Sequence, residues 1–204
     1  MLHYETVDAQ LLELIKALQK ETAFSELRLV GGTSLALQLG HRKSVDIDLF
    51  GVYSADSIAV LKILNELGNV TVLNKSDNIN IFLINGIKID LVNYHYKWLE
   101  KPFVSGALKL ADIKDIAAMK LSAITGRGTK KDFIDLYFLL QKFKFEEILD
   151  FYTKKYHDGS LFLVLKSLTY FEDADQNEMP VMVKPIDWEQ VKSFIMDATK
   201  YYLR

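Results

Sequence analysis

GGTSLALQLGHRKSVDIDLF, residues 31–50, places a glycine pair at one end of a short amphipathic stretch and two aspartates, Asp46 and Asp48, at the other. Apolar residues up to Leu39 are followed by Gly40, a pattern that predicts a short helix over 33–39 closed by that glycine. VDIDLF (45–50) then alternates as a half-buried strand does. Successive strand side chains point to opposite faces, so Ile47 and Leu49 turn to the core while Asp46 and Asp48 share the other face. Two carboxylates on one face repel unless a proton or a cation sits between them, and hard oxygen donors favour Mg²⁺ or Mn²⁺. The alternative for an isolated Asp-x-Asp is a solvated face at a sheet edge.

Just before this stretch, LRLV (27–30) reads as a buried strand running into the glycines. Gly31 and Gly32 at a strand-to-helix junction would let a ligand approach the backbone, and the helix N-terminus would offer its unpaired N–H groups to a phosphate. The Thr33 and Ser34 hydroxyls would add donors. A tight turn is the alternative for the glycines taken alone. The pattern lacks the Gly-Lys-Ser/Thr of a P-loop and the third glycine of a dinucleotide fingerprint. Because the short helix leads straight back through GHRKS (40–44) into the aspartate strand, the phosphate-binding end and the carboxylates fall in one neighbourhood. A metal-bound polyphosphate suits it.

Beyond residue 50, SADSIAVLKILNELG (54–68) predicts an amphipathic helix opened by Ser54 and closed by Gly68, and residues 69–94 predict two or three strands with a two-residue hairpin at Asn85-Gly86. On the strand after that turn, Lys88, Asp90 and Val92 share one face. If the strand lies beside VDIDLF, then Asp46, Asp48 and Asp90 could hold two divalent ions about 3.5–4 Å apart. Pairing of Asp90 with Lys88 or with water is the alternative. From Leu108 onward the pattern is almost wholly helical, which predicts an α/β lobe over 1–102 and a helical lobe over 103–204, with KPFVSG (101–106) as the crossing. An apolar helix over 112–128 carries Lys120 as its only charge between Asp115 and Arg127, and Asp135 is the only charge within 133–140. These two either pair as a buried salt bridge or serve a ligand, with Lys120 on nucleotide phosphates and Asp135 orienting it or the acceptor. Both can hold. Arg127, Lys130 and Lys131 stand at the helix junction as a possible cationic rim, Lys130 better read as a solvated helix end.

Of 204 residues, 50% are hydrophobic, enough to bury a real core, and 25 Lys+Arg against 27 Asp+Glu give a formal charge of −2, so no whole-chain positive field marks a nucleic-acid binder. The absence of cysteine removes thiolate catalysis, disulfides and cysteine-ligated zinc. His3, His41, His95 and His157 show no metal-ligand spacing, and only His41 is placed for a ligand contact. The N-terminus lacks the pattern of a signal peptide and no apolar run approaches a membrane span, so the expectation is a cytoplasmic protein with no membrane partner.

GGTSLALQLGHRKSVDIDLF, KIDLV and DIAAMKLSAITGRGTKKDFIDLYFLL together resemble the AbiEii family of nucleotidyltransferase toxins, within the DNA polymerase β-like superfamily, and SLTYFEDADQNEMP resembles that family's C-terminal signature. The resemblance implies an α/β nucleotidyltransferase-like lobe with a mixed sheet and an all-helical lobe that completes the nucleotide site. It aligns Gly32 and Thr33 with the phosphate loop, Asp46 and Asp48 with the paired metal ligands and Asp90 with the third carboxylate. Lys120 falls on the nucleotide-binding lysine, and Arg127, Asp132 and Asp135 on the final arginine-to-aspartate motif. The implied activity is Mg²⁺- or Mn²⁺-dependent transfer of an NMP from an NTP to an acceptor, with RNA such as a tRNA end expected, by the toxin of a toxin–antitoxin or phage-defence system whose antitoxin is encoded nearby. Alternatives are a small-molecule nucleotidyltransferase of the antibiotic-modifying kind, a non-catalytic nucleotide-binding relative, and a metal-dependent phosphodiesterase or nuclease.

Overall fold

The computed structural model describes residues 1–54 and 56–204. Its strands are β1 (Arg28–Leu29), β2 (Ile47–Gly51), β3 (Val70–Lys75), β4 (Ile79–Ile84), β5 (Ile87–Asn93), β6 (Phe103–Ser105) and β7 (Leu108–Leu110). They form one mixed sheet in the order β3-β4-β5-β2-β1-β7-β6. The middle strand, β2, runs antiparallel to β1 and parallel to β5. Ile47 and Leu49 are fully buried while Asp48 and Phe50 are only partly so, as the alternation of the sequence requires. The Asn85-Gly86 turn is present with both residues at positive φ, 51° and 85°.

The helices are α1 (Ala9–Lys20), α2 (Gly31–Leu39), α3 (Ser57–Leu67), α4 (Ile113–Gly126), α5 (Lys130–Leu140), α6 (Phe145–Lys155), α7 (Leu161–Ser167), α8 (Glu172–Asp175) and α9 (Trp188–Tyr202). Two apolar cores result. One packs α1 against the sheet through Leu11, Leu18, Leu29 and Leu49, and the other joins α4, α5 and α6 around Leu121, Phe133 and Ile148. α2 belongs to both, since Leu37 enters the first core and Leu35 and Leu39 the second. Each such leucine contributes about 2 kcal/mol by leaving water. Packing therefore holds a helix that opens on two glycines and would be marginal by propensity.

Three expectations change. α3 is capped by Asp56, whose carboxylate accepts from the N–H groups of Ile58 and Ala59, and not opened by Ser54; Ala55, between them, lies outside the described residues. KPFVSG is not a bare crossing, because 103–110 folds into the β6–β7 hairpin and β7 pairs parallel with β1. A boundary between 102 and 103 would cut that hairpin from its sheet. The strands are three residues each, too short for a period of two to show against the helices that follow. Lys130, expected in solvent, is buried, with its ammonium donating to the Asn177 carbonyl at 2.5 Å and lying 5.4 Å from the Trp188 ring centre. Among the described residues no helix is long and apolar enough to cross a membrane.

A buried ion pair of the helical half grips the backbone of residues 97–100 that leads into it. Asp115, on α4, accepts from the backbone N–H groups of Leu99 (2.9 Å) and Glu100 (3.2 Å) and from Lys155 of α6 at 2.7 Å. The Lys155 ammonium also lies 4.5 Å from the Trp98 ring centre, and burial pulls its proton affinity down despite Asp115. Asp115→Ala should strand that ammonium and cost about 3 kcal/mol, a fall of about 10 °C in Tm by calorimetry. Adding Lys155→Met should recover most of the loss, and a double variant no more stable than Asp115→Ala would contradict this account.

Candidate active site

β1 ends at Leu29, the Val30 N–H donates to the Asp48 carbonyl at 2.9 Å, and the chain turns into α2 at Gly31, where φ is +66°. A Cβ on Gly31 would lie 2.1 Å from Asp48 Oδ2, and one on Gly32 would lie 2.3 Å from Arg42 Nη2. Only hydrogen fits at either position. The first turn of α2, whose N–H groups have no intrahelical acceptor, therefore abuts the Asp48 carboxylate and the Arg42 guanidinium directly. The neighbouring hydroxyls play a different part from the one expected. Thr33 is fully buried, hydrogen-bonded to the Ser44 hydroxyl at 2.9 Å and donating to the Asp46 carbonyl, while Ser34 Oγ accepts from Gln38 at 3.2 Å. Gly31 and Gly32 line the adjoining cavity and Thr33 and Ser34 do not. Thr33 thus fixes the backbone that leads into Asp46, and of residues 31–34 only the two glycines face the cavity.

The cavity measures about 820 Å³, within the range of small-ligand sites. Asp46, Asp48 and Asp90 all line it, and β2 and β5 stand in register so that Asp48 is the direct neighbour of Asp90. Burial first, then the Asp90 and Asp46 charges, push the Asp48 carboxyl up to about 6. Lys131 of α5 reaches within 3.6 Å of Asp46. Both oxygens of Asp90 accept from Lys88, at 2.5 and 2.7 Å. Among the described residues no group of three or more His, Asp or Glu side chains is arranged to hold a metal, and a lysine stands beside both Asp90 and Asp46.

Behind the cavity lies a denser network of charge. Asp135 is fully buried and accepts from Arg42 Nε (2.7 Å) and Nη2 (2.8 Å), from His41 Nε2 (2.7 Å), and from Lys120 Nζ at 2.6 Å. Lys120 also donates to Asp132 at 2.9 Å, and Asp132 accepts from Thr129 and, at 3.3 Å, from Arg127. Burial opposes the charge on Asp135, but Arg42 and Lys120 outweigh it and hold its carboxyl well below the usual range. Burial likewise opposes the charge on Lys120, and Asp135 with Asp132 overcomes it, so the ammonium is retained. Lys120, Arg127, Lys131 and Arg42 border the cavity; Asp135 and His41 do not. Asp135 and His41 therefore touch the cavity only through Arg42 and Lys120, which Asp135 holds. Both readings of the Lys120–Asp135 pair meet here, since the bridge is buried and its lysine still borders the cavity.

Two features escaped the sequence. Arg42 carries no local signal, sitting in a loop between Gly40 and the strand. The cavity is also lined by five aromatic rings, Phe50, Tyr94, Tyr96, Tyr152 and Tyr156, with the Tyr94 and Tyr156 hydroxyls 2.8 Å apart. The alternation of Asp90 and Val92, continued through Tyr94 and Tyr96, was the available hint.

The Asp135 network has a testable pH signature. A carboxyl whose folded proton affinity is depressed stabilises the fold above its unfolded pKa, and that contribution drains as pH falls toward the folded value. Asp135→Asn should cost about 3 kcal/mol at neutral pH, measured by chemical denaturation, and the gap from the wild type should narrow below about pH 4. A gap that stays constant into acid would contradict the ionised network.

Comparison with known proteins places this geometry. The sequence matches, over residues 13–201, the family described as nucleotidyl transferase AbiEii toxin, type IV toxin–antitoxin system. The Aquifex aeolicus (strain VF5) protein aq_aa25 is 38% identical over 185 residues, covering 88% of this chain and 89% of that protein. Among solved structures, MenT4, the nucleotidyltransferase toxin Rv2826c of Mycobacterium tuberculosis H37Rv, superposes with a TM-score of 0.65 at 14% identity, covering 96% of this chain and 86% of that one. The antibiotic-resistance factor ANT(2'')-Ia superposes with a TM-score of 0.54 at 18% identity, over 70% of this chain and 88% of its own. At such identities the two structures attest the fold, while the match over residues 13–201 shows the family: this chain is a nucleotidyltransferase and belongs to the AbiEii toxin family of type IV toxin–antitoxin systems.

Proposed function

We propose that the protein transfers an NMP from an NTP to an RNA end, with a tRNA terminus as the acceptor, in a reaction that depends on Mg²⁺ or Mn²⁺ held by Asp46 and Asp48. The observation that carries this reading is the contact between the first turn of α2 and Asp48, which sets phosphate donors and metal-type carboxylates against each other with no side chain between them. The donor set fits a hard divalent cation: burial and then the Asp90 and Asp46 charges push the Asp48 carboxyl up to about 6, and a cation would relieve that concentration of negative charge. When bound, such an ion neutralises phosphate oxygens and favours in-line displacement at the α-phosphorus.

The chain's own groups supply the remainder. The Gly31 and Gly32 N–H groups at the positive end of α2 receive the triphosphate tail. Lys120 presents at the cavity wall an ammonium whose charge Asp135 and Asp132 favour, and Arg127, exposed, and Lys131, half-buried, draw the phosphates and then the acceptor backbone inward. The aromatic rings offer their faces to the nucleoside. The family implies an antitoxin counterpart and an NTP substrate. The reaction suits a cytoplasmic setting, where NTPs and tRNA are both abundant.

Incubation with each α-labelled NTP, Mg²⁺ and total RNA should carry label into RNA. Asp48→Asn should lower incorporation by about 10³-fold or more while leaving the folded state intact by circular dichroism. Label that enters only small-molecule acceptors would overturn the RNA reading. Full incorporation by Asp48→Asn would overturn the metal assignment.

A further inference from the structure

We propose that the Lys88 ammonium takes the place of one of the two divalent cations that a site with three carboxylates could hold, so that nucleotide binds here with a single divalent ion at Asp46 and Asp48. This rests on the nucleotidyltransferase reading of the cavity. Lys88 and Asp90 occupy alternate positions of β5 and face the cavity, while Ile89 and Leu91 between and beyond them are fully buried in the core. Same-face neighbours on a strand stand about 7 Å apart, within easy reach of a lysine. The alternation of β5 therefore sets both side chains on one face, with 38% of the Lys88 side chain and 20% of the Asp90 side chain exposed. The pair is also bidentate, with the ammonium 2.5 and 2.7 Å from the two Asp90 oxygens.

Register makes the consequence specific. Asp90 stands directly across from Asp48, so an ion bridging these two would lie against the ammonium and be repelled by it. An ion shared by Asp46 and Asp48 escapes most of that repulsion. Three carboxylates and one ammonium leave two negative charges, which one divalent ion cancels. Lys131 differs from Lys88 in distance and origin: it comes from α5 and approaches Asp46 only to 3.6 Å, against 2.5 and 2.7 Å for Lys88 and Asp90.

Electron paramagnetic resonance counts bound Mn²⁺ without any turnover. Titration of Mn²⁺ into the protein with an α,β-methylene NTP, each base in turn, should show one nucleotide-dependent Mn²⁺ per chain in the wild type and in Asp90→Asn, and two in Lys88→Met. Two ions in the wild type would overturn the proposal while leaving the nucleotidyltransferase reading intact, and a folded Lys88→Met that stays at one would also overturn it. A wild type that binds no Mn²⁺ with any nucleotide would defeat the reading beneath it and the proposal with it.

Discussion

A carboxylate with no access to water, Asp135 on α5, accepts hydrogen bonds from Arg42, His41 and Lys120, and the site takes its shape from that constraint. An uncompensated buried carboxylate costs several kcal/mol, so the loop after α2 and the helix α4 are both obliged to bring it cations. The loop thereby holds Arg42 beside Gly32. The same loop holds Ser44 against Thr33, whose hydroxyl fixes the Asp46 carbonyl at the entrance to β2. A segment from the far end of the chain secures it further: the Lys43 N–H donates to the Val181 carbonyl, and the Val183 and Lys184 N–H groups donate to that of His41. The aspartates are aimed by contacts that reach into both lobes.

Local chemistry explains what the sequence disclosed. β2, the Asn85-Gly86 turn and α2 with its Gly40 cap each depend on neighbours a few residues apart; strand alternation sets Asp46 with Asp48 on one face, and the pairing of β2 with β5 brings Asp90 beside them. Lys120 and Asp135 stood out because a charge on an apolar helix face needs a partner, and the partners they found were each other. Arg42 gave no such warning. Its burial is a response to Asp135, 93 residues away, and nothing within one turn of it marks a charge that will lose water. The Thr33 hydroxyl was equally silent, because its partners, Ser44 and the Asp46 carbonyl, come within reach only once the loop has folded back. The β6–β7 hairpin exists because β1 offers it an edge, a tertiary opportunity that a three-residue strand does not announce.

The cavity combines two solvents in one cleft. Part of its lining is polar, with backbone N–H groups, carboxylates and ammonium groups in near balance, and part is aromatic, with Tyr94 and Tyr156 tied together by their hydroxyl contact. A nucleoside triphosphate has the same division, and its charged and heterocyclic halves could not both be accommodated by either lining alone. Family membership supplies the reaction class, and the contact of Gly31 with Asp48 marks the place we propose for it.

The most direct measurement is calorimetric titration of NTP, in the presence of Mg²⁺, into Gly31→Ala. The added methyl has nowhere to go but into Asp48, so a folded variant should bind nucleotide at least about tenfold more weakly than the wild type. Wild-type affinity in a folded Gly31→Ala protein would contradict the claim that the phosphate loop and the metal-type carboxylates grip one ligand.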